Sequence, residues 1–223
     1  MTKKCVLVTG GARGVGKAVV DYYKTAGFDI CAPMRSELDL SSELSILDFM
    51  SQNENNRFDV LVNNAAENFI SEIIDLSLVN WTRMQTINLT APFLLTKLVA
   101  PHMIAQKWGR IVNISSAYSV ISRIGRSGYG ATKAGLSSLT RTAALEFAEH
   151  NVLVNAVAPG FVETDLTRKN NSPAQIDALI QQIPLKKLAS PQEIAGFVYY
   201  LGSDQNTYIT GQTIFMDGGF MAQ

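Results

Sequence analysis

The stretch Thr9-Gly10-Gly11-Ala12-Arg13-Gly14-Val15-Gly16 follows the apolar run Cys5-Val-Leu-Val-Thr9 and opens a segment of helical period. Glycine permits a left-handed turn and lets the main chain approach another group closely. At the start of a helix, unpaired N–H groups and the helix dipole attract an anion, so this turn reads as a seat for a pyrophosphate. The same residues also approach a triphosphatase loop, because Gly11, Gly16 and Lys17 have its spacing. Position 18 is Ala, however, and the hydroxyl needed to ligate magnesium is missing.

Outward from this turn, short β-branched runs alternate with longer helical segments, which is the pattern of a parallel sheet covered on both faces. The expected strands are Cys5–Thr9, Phe28–Ala32, Asp59–Asn63, Arg110–Ile114, Val152–Ala156 and Thr213–Met216. Helices are expected near 14–26, 41–53, 72–104 with breaks at Pro92 and Pro101, 127–148, 173–181 and 191–202. The fold class is therefore α/β, a single-domain Rossmann-type doubly wound parallel sheet over 1–223. The least regular part, roughly 160–190, reads as a binding segment or a surface excursion.

Composition sets the outer limits. The 223 residues are 47% hydrophobic and 17% charged, enough for one packed domain. Lys plus Arg and Asp plus Glu stand at 19 each, so no general basic field exists to hold nucleic acid or an anionic membrane. No apolar stretch is long enough to span a bilayer, and a cytoplasmic protein is expected. Cys5 and Cys31 read as buried reduced thiols, and His102 and His150 stand too far apart for a structural metal site.

Dinucleotide choice turns on the residues after the second strand, where a carboxylate would bond a free ribose hydroxyl and repel a 2′-phosphate. Met34-Arg35 stands there, with Arg13 in the neighbouring turn. Two guanidiniums suit a phosphate dianion, so NADP(H) is expected over NAD(H). Glu37 and Asp39 compete with this reading, and a solvated surface role for Arg35 is its alternative.

Tyr129 and Lys133 are four residues apart on the helix near 127–148 and share a face. A nearby ammonium favours the phenolate and lowers the tyrosine pKa, suiting it to give a proton to an alkoxide formed by hydride transfer. Ser116 lies thirteen residues earlier, at the C-terminal end of a strand, where its hydroxyl can donate to a substrate oxygen. Asn88, in a largely apolar helical segment, either satisfies local backbone or holds a water.

On these residues the chain resembles the short-chain dehydrogenases/reductases, and within them the 3-oxoacyl-[acyl-carrier-protein] reductases. The carriers are Thr9-Gly10-x-x-x-Gly14-x-Gly16, Asn63-Asn64-Ala65, Asn88, Ser116, Tyr129-x-x-x-Lys133, Pro159-Gly160 with Thr164, and Gly211-Gln212-x-x-x-x-Asp217-Gly218-Gly219. The resemblance implies a tetrad: Tyr129 as general acid, Ser116 as carbonyl orienter, Lys133 on the nicotinamide ribose, and Asn88 holding a proton-relay water. It implies cofactor contacts by Gly10, Arg13, Gly14, Val15 and Gly16 in the turn, and by Arg35, Asp39 and Leu40 at the adenine end. Asn64, Ala65 and Ala66 would lie beside the adenosine, and Pro159, Gly160, Val162 and Thr164 beside the nicotinamide. Hydride would leave the B face.

The chain departs from the pattern in three places. Ala66 replaces a usual glycine, Ser119 stands where relatives often have glycine, and only three residues separate Arg35 from Asp39. Relatives usually insert a helix and the start of a strand there, so the connection after strand 2 is shortened and the adenine end should be open. A carrier-protein substrate would need cations near the active-site mouth, for which Lys107, Arg110, His150, Arg168 and Lys169 are candidates. Three functions stay open: reduction of a carrier-bound 3-oxoacyl thioester, the same chemistry on a small ketone, sugar or polycyclic alcohol, and dinucleotide binding without turnover. A homo-oligomer, tetramer or dimer, is expected through the helices near 85–104 and 127–148, although their leucines equally suit a core.

Overall fold

A computed structural model describes residues 3–53 and 57–222. Six strands run in parallel: β1 (Cys5–Val8), β2 (Asp29–Cys31), β3 (Phe58–Asn63), β4 (Gly109–Ile114), β5 (Val152–Pro159) and β6 (Thr213–Met216). Their spatial order is β2-β1-β3-β4-β5-β6. The chain steps outward from β1 to β2 and then returns across it to β3, so the direction of winding reverses between β1 and β3. Such a switch point leaves a crevice at the carboxyl ends of the strands.

The period-two alternation of the strands builds two cores. Val6, Val8, Val60, Val62, Val112 and Val157 face α1 (Gly14–Thr25) and α8 (Pro191–Leu201), which contribute Val19, Tyr23, Ile194 and Val198. Leu7, Leu61, Ile111 and Val154 face α2 (Glu43–Gln52), α4 (Ala91–Ala105) and α5 (Ser127–Phe147), whose Phe49, Leu95, Met103 and Ala143 close the second layer. Each fully buried aliphatic side chain here contributes roughly 1.5–3 kcal/mol relative to exposure. Both faces are covered, as the sequence pattern requires.

Three expected boundaries change. The helix expected from residue 72 begins as α3 (Leu78–Gln85), because the Ser77 hydroxyl accepts from the Asn80 N–H at 3.2 Å and caps it. Neither proline breaks the helix: α3 runs through a widened π turn, Thr86–Thr90, into α4, with Pro92 at its second residue and Pro101 inside it. The 160–190 segment carries the expected helix as α7 (Pro173–Gln182) and, before it, one not expected, α6 (Asp165–Asn170). After β2, no strand or helix precedes α2, which is the shortened connection read from the sequence.

The buried-thiol expectation holds only in part, since Cys5 and Cys31 are free and half-buried. Burial pushes the Cys5 thiol up to about 12. Among the helix leucines, Leu95 is core and Leu94 and Leu98 pack against it, whereas Leu145 is 83% exposed. No helix of the described residues is long and apolar enough to cross a membrane.

Candidate active site

β4 ends at Ile114, and the chain turns at once through Ser115 and Ser116 into a short 3-10 turn, Ala117–Ser119. α5 then begins on the same side, bringing Tyr129 back beside Ser116, whose hydroxyl favours the phenolate. One helical turn on, Lys133 is only 2% exposed and donates from Nζ to the Ile114 carbonyl oxygen at 2.6 Å. Its own carbonyl accepts from the Ser115 hydroxyl, which is also 2.9 Å from the Ser137 hydroxyl. Three of the four expected catalytic residues are thus gathered at the carboxyl end of β4.

The electrostatics differ from the expectation that Lys133 acidifies Tyr129. Burial raises the phenol above its ordinary value, the Ser116 hydroxyl and the Arg126 charge oppose that rise, and Tyr118 adds to it. Burial also pulls the Lys133 amine down to about 7. An amine that loses its own charge by desolvation contributes little field to a phenol, and its Nζ stands 5.6 Å from the Tyr129 ring centroid. The cation that lowers the phenol in this chain is Arg126.

Asn88 is fully buried in the π turn. Its Oδ1 accepts from the Glu67 N–H at 2.8 Å, and its Nδ2 donates to the Glu67 carbonyl at 2.8 Å and to Thr132 Oγ1 at 3.2 Å. Both amide hydrogens are therefore committed, and the side chain ties the loop after β3 to α5. Its main-chain carbonyl lacks the ordinary i+4 donor, because residue 92 is proline. A water held by Asn88 would rest on that carbonyl.

Beside this group, at the switch point, a cleft of about 470 Å³ is lined by Thr9–Arg13, Pro33–Arg35, Leu38–Leu40, Ala65–Glu67 and Ile87. It gathers Gly10, Arg13, Arg35, Asp39, Leu40, Ala65 and Ala66 of the expected cofactor residues. The others stand around it. Asn64 donates to the Thr9 and Gly10 carbonyls at 2.9 and 3.2 Å and so holds the turn. Gly16 packs against Gly10, where a Cβ would come within 2.2 Å of the carbonyl oxygen, and Gly14 has φ +55°. Val15 is packed against the core. Thr164 caps α6, with its methyl 3.4 Å from the Cβ position of Gly14, so the end of β5 meets the glycine turn. Pro159 closes β5, Gly160 packs on Asp217, and Val162 is buried behind them.

The cleft fits a dinucleotide. Arg13 precedes α1 without a side-chain cap, leaving the helix N–H groups free for a pyrophosphate, and glycines keep the approach open. At the adenine end, Asp39 accepts from the Ser41 N–H and hydroxyl and is held below the usual carboxylate range, chiefly by those bonds. Arg35 is 64% exposed, between Asp39 at 3.6 Å and Glu67 at 3.8 Å. Glu67 in turn pairs with both Arg83 Nε and Nη2 at 2.6 and 2.7 Å. Lys17 pairs with Asp21 one turn along α1, away from any triphosphate role.

Sequence reasoning did not single out Glu67, Arg83, Thr132 or Arg126. A glutamate directly after Asn-Asn-Ala-Ala was the available signal for the first; the others become neighbours only through the fold. Of the proposed docking cations, Arg110 is 2% exposed and donates to the carbonyls of Gly109, Asn151 and Asn206. With Lys107 and His150 it lies at the amino ends of β4 and β5, opposite the active-site side. Arg168 is paired with Glu163.

A family profile described as enoyl-(acyl carrier protein) reductase matches residues 17–221. The 3-oxoacyl-[acyl-carrier-protein] reductase FabG of Aquifex aeolicus is 38% identical over 240 residues, covering 97% of this chain and 96% of the relative. The chain belongs to the short-chain dehydrogenase/reductase family. As a member it is an NAD(P)-dependent oxidoreductase acting on CH–OH and C=O groups. FabG of Thermotoga maritima is 34% identical, covering 98% of both chains. Among solved structures, ElxO with NADP bound superposes with a TM-score of 0.92 at 28% identity, covering 100% of both chains. A 4-hydroxyisoleucine dehydrogenase complexed with NADH gives 0.94 at 29%, covering 99% of this chain and 100% of that one.

Proposed function

We propose that this short-chain dehydrogenase/reductase reduces the ketone of a 3-oxoacyl compound to a secondary alcohol with NADPH. The observation that carries the reading is the half-buried Tyr129 beside Ser116, one helical turn from the buried Lys133 and near a cleft suited to a dinucleotide. When bound, the nicotinamide supplies hydride to the carbonyl carbon. Tyr129 gives its proton to the resulting oxygen, and Ser116 donates a hydrogen bond as charge develops there. Lys133 would hold the nicotinamide ribose, and the main-chain carbonyl of Asn88 would support a water able to return a proton to the phenol.

NADPH is favoured over NADH by Arg13 and Arg35 at the open adenine end. The FabG relatives support the acyl thioester of a carrier protein as substrate. A second reading, a small 3-oxo compound without a carrier, is favoured by the pairing of Arg168 with Glu163 and by the place of Lys107, Arg110 and His150 at the far ends of the strands, which leave few free cations near the site. NADPH consumption with a 3-oxoacyl thioester and with simple ketones separates them, and faster turnover of the ketones removes the carrier reading. Tyr129→Phe should keep NADPH binding while lowering turnover at least ~100-fold, as expected for a lost general acid. Undiminished turnover in that variant refutes the catalytic assignment.

A further inference from the structure

The rim of the site between Ser116 and Tyr129 carries exposed apolar side chains and two arginines, Arg123 and Arg126: Val120 is 69% and Ile124 82% exposed, and Ile70 packs on Gly125 while half exposed itself. One cation is set against the catalytic phenol within it. Arg126 lies one turn before Tyr129, and its guanidinium sits 5.5 Å from the centroid of the Tyr118 ring. Tyr118 in turn meets Tyr129 edge-on, with ring centroids 6.4 Å apart. Tyr118 thereby holds the arginine at the mouth by a cation–π contact.

The charge of Arg126 is not neutralised by the protein. The Ser71 N–H donates to the Gly125 carbonyl at 3.2 Å, drawing the segment that carries Glu72 and Asp75 against this loop. Even so, among the described residues no carboxylate lies within 4 Å of Arg126; Arg13, Arg110, Arg123 and Arg141 are likewise without one, but of these arginines it is Arg126 that stacks on the neighbour of the catalytic tyrosine. Arg126 is also close enough to act on the phenol, whose pKa it lowers. A guanidinium is built for paired bonds to a planar anion, and here it lies against the ring that meets the catalytic tyrosine.

We infer that Arg126, braced by Tyr118, binds a carboxylate of the substrate, so that the preferred carbonyl compound is an oxo acid with its carboxylate a few bonds from the ketone. This rests on the carbonyl-reductase reading above and selects, of its two substrates, the small 3-oxo compound over the carrier thioester, because a neutral ester or thioester offers the guanidinium no charge. An anion at Arg126 fixes one end of the substrate while Ser116 and Tyr129 hold the ketone oxygen. Tyr118 is then a positioning residue, acting through the arginine.

The test pairs acetoacetate with its neutral ethyl ester, on wild type and Arg126→Gln. With NADPH, wild type should prefer the acid, and Arg126→Gln should lower kcat/KM for the acid at least tenfold further than for the ester, mainly through KM. Arg126→Lys should recover part of the loss. Calorimetric titration of acetoacetate onto enzyme loaded with NADP⁺, in which no hydride is available, reads the contact without turnover: Arg126→Gln should weaken binding at least tenfold. Equal losses for acid and ester, or acetoacetate binding that is the same in wild type and variant, overturn the inference. Arginine-dependent binding without reduction of either compound instead sinks the carbonyl-reductase reading and leaves the carboxylate contact standing.

Discussion

At the scale of single residues, the adenine end depends on how Arg35 divides its charge. The guanidinium is solvated and loosely paired, at 3.6 and 3.8 Å, with two carboxylates that gain little from it in water. A 2′-phosphate offers it charge-assisted bonds that neither of those pairs supplies. Arg35→Asp would add a third carboxylate beside Asp39 and Glu67. NADPH should then bind about 10–100-fold more weakly relative to NADH, the range for losing a hydrogen-bonded charge pair, and titration of the two cofactors by fluorescence reads it. A wild type that already binds NADH better contradicts the premise. Identity alone marked Tyr129, Ser116 and Arg35 as candidates for the site, where the fold places them. It could not announce the charge state of Lys133, because the burial that pulls its amine to about 7 comes from β4 and α5 closing on each other.

At the scale of elements, the glycine turn is a packed joint as well as a flexible one. A Cβ on Gly16 would stand 2.2 Å from the Gly10 carbonyl and 2.5 Å from Asn64 Nδ2. Gly16→Ala must therefore displace the turn or α1, at a cost of about 1–3 kcal/mol typical of overpacking. Binding of NADPH and NADH should weaken together, which distinguishes this lesion from Arg35→Asp, and the melting temperature should fall. Strands and this turn were legible because their patterns are local: β-branched runs of period two, and glycines after the first of them. The start of α3 was not, since Glu72–Ser77 carries helical spacing that the Ser77 cap overrides. Nor was the π turn at Thr86–Thr90, where Pro92 withholds the i+4 donor from Asn88 and the Asn88 side chain bonds Glu67 and Thr132 across the fold. Spacing along a chain does not record which partner will lie opposite.

At the scale of the whole molecule, one buried amine leaves a signature in stability. Lys133 titrates near 7 when folded and at its ordinary 10.5 when unfolded. Between those values the unfolded chain binds a proton that the folded chain does not, so this residue makes stability rise with pH through the window. The urea midpoint of wild type minus that of Lys133→Met should therefore increase from pH 7 to pH 9 in the cofactor-free protein. Taking the difference cancels the contribution of Cys5, whose raised thiol pKa has the opposite sign. A flat or falling difference would show that the amine stays protonated in the fold.

The shortened connection after β2 also decides how the sheet ends. β2 is only three residues long, begins with Asp29 in an ion pair to Lys3, and borders the sheet beyond β1. A margin so brief and so charged offers little template for another chain to zip onto. The loss of a flanking layer therefore does not turn this border into a nucleus for intermolecular aggregation.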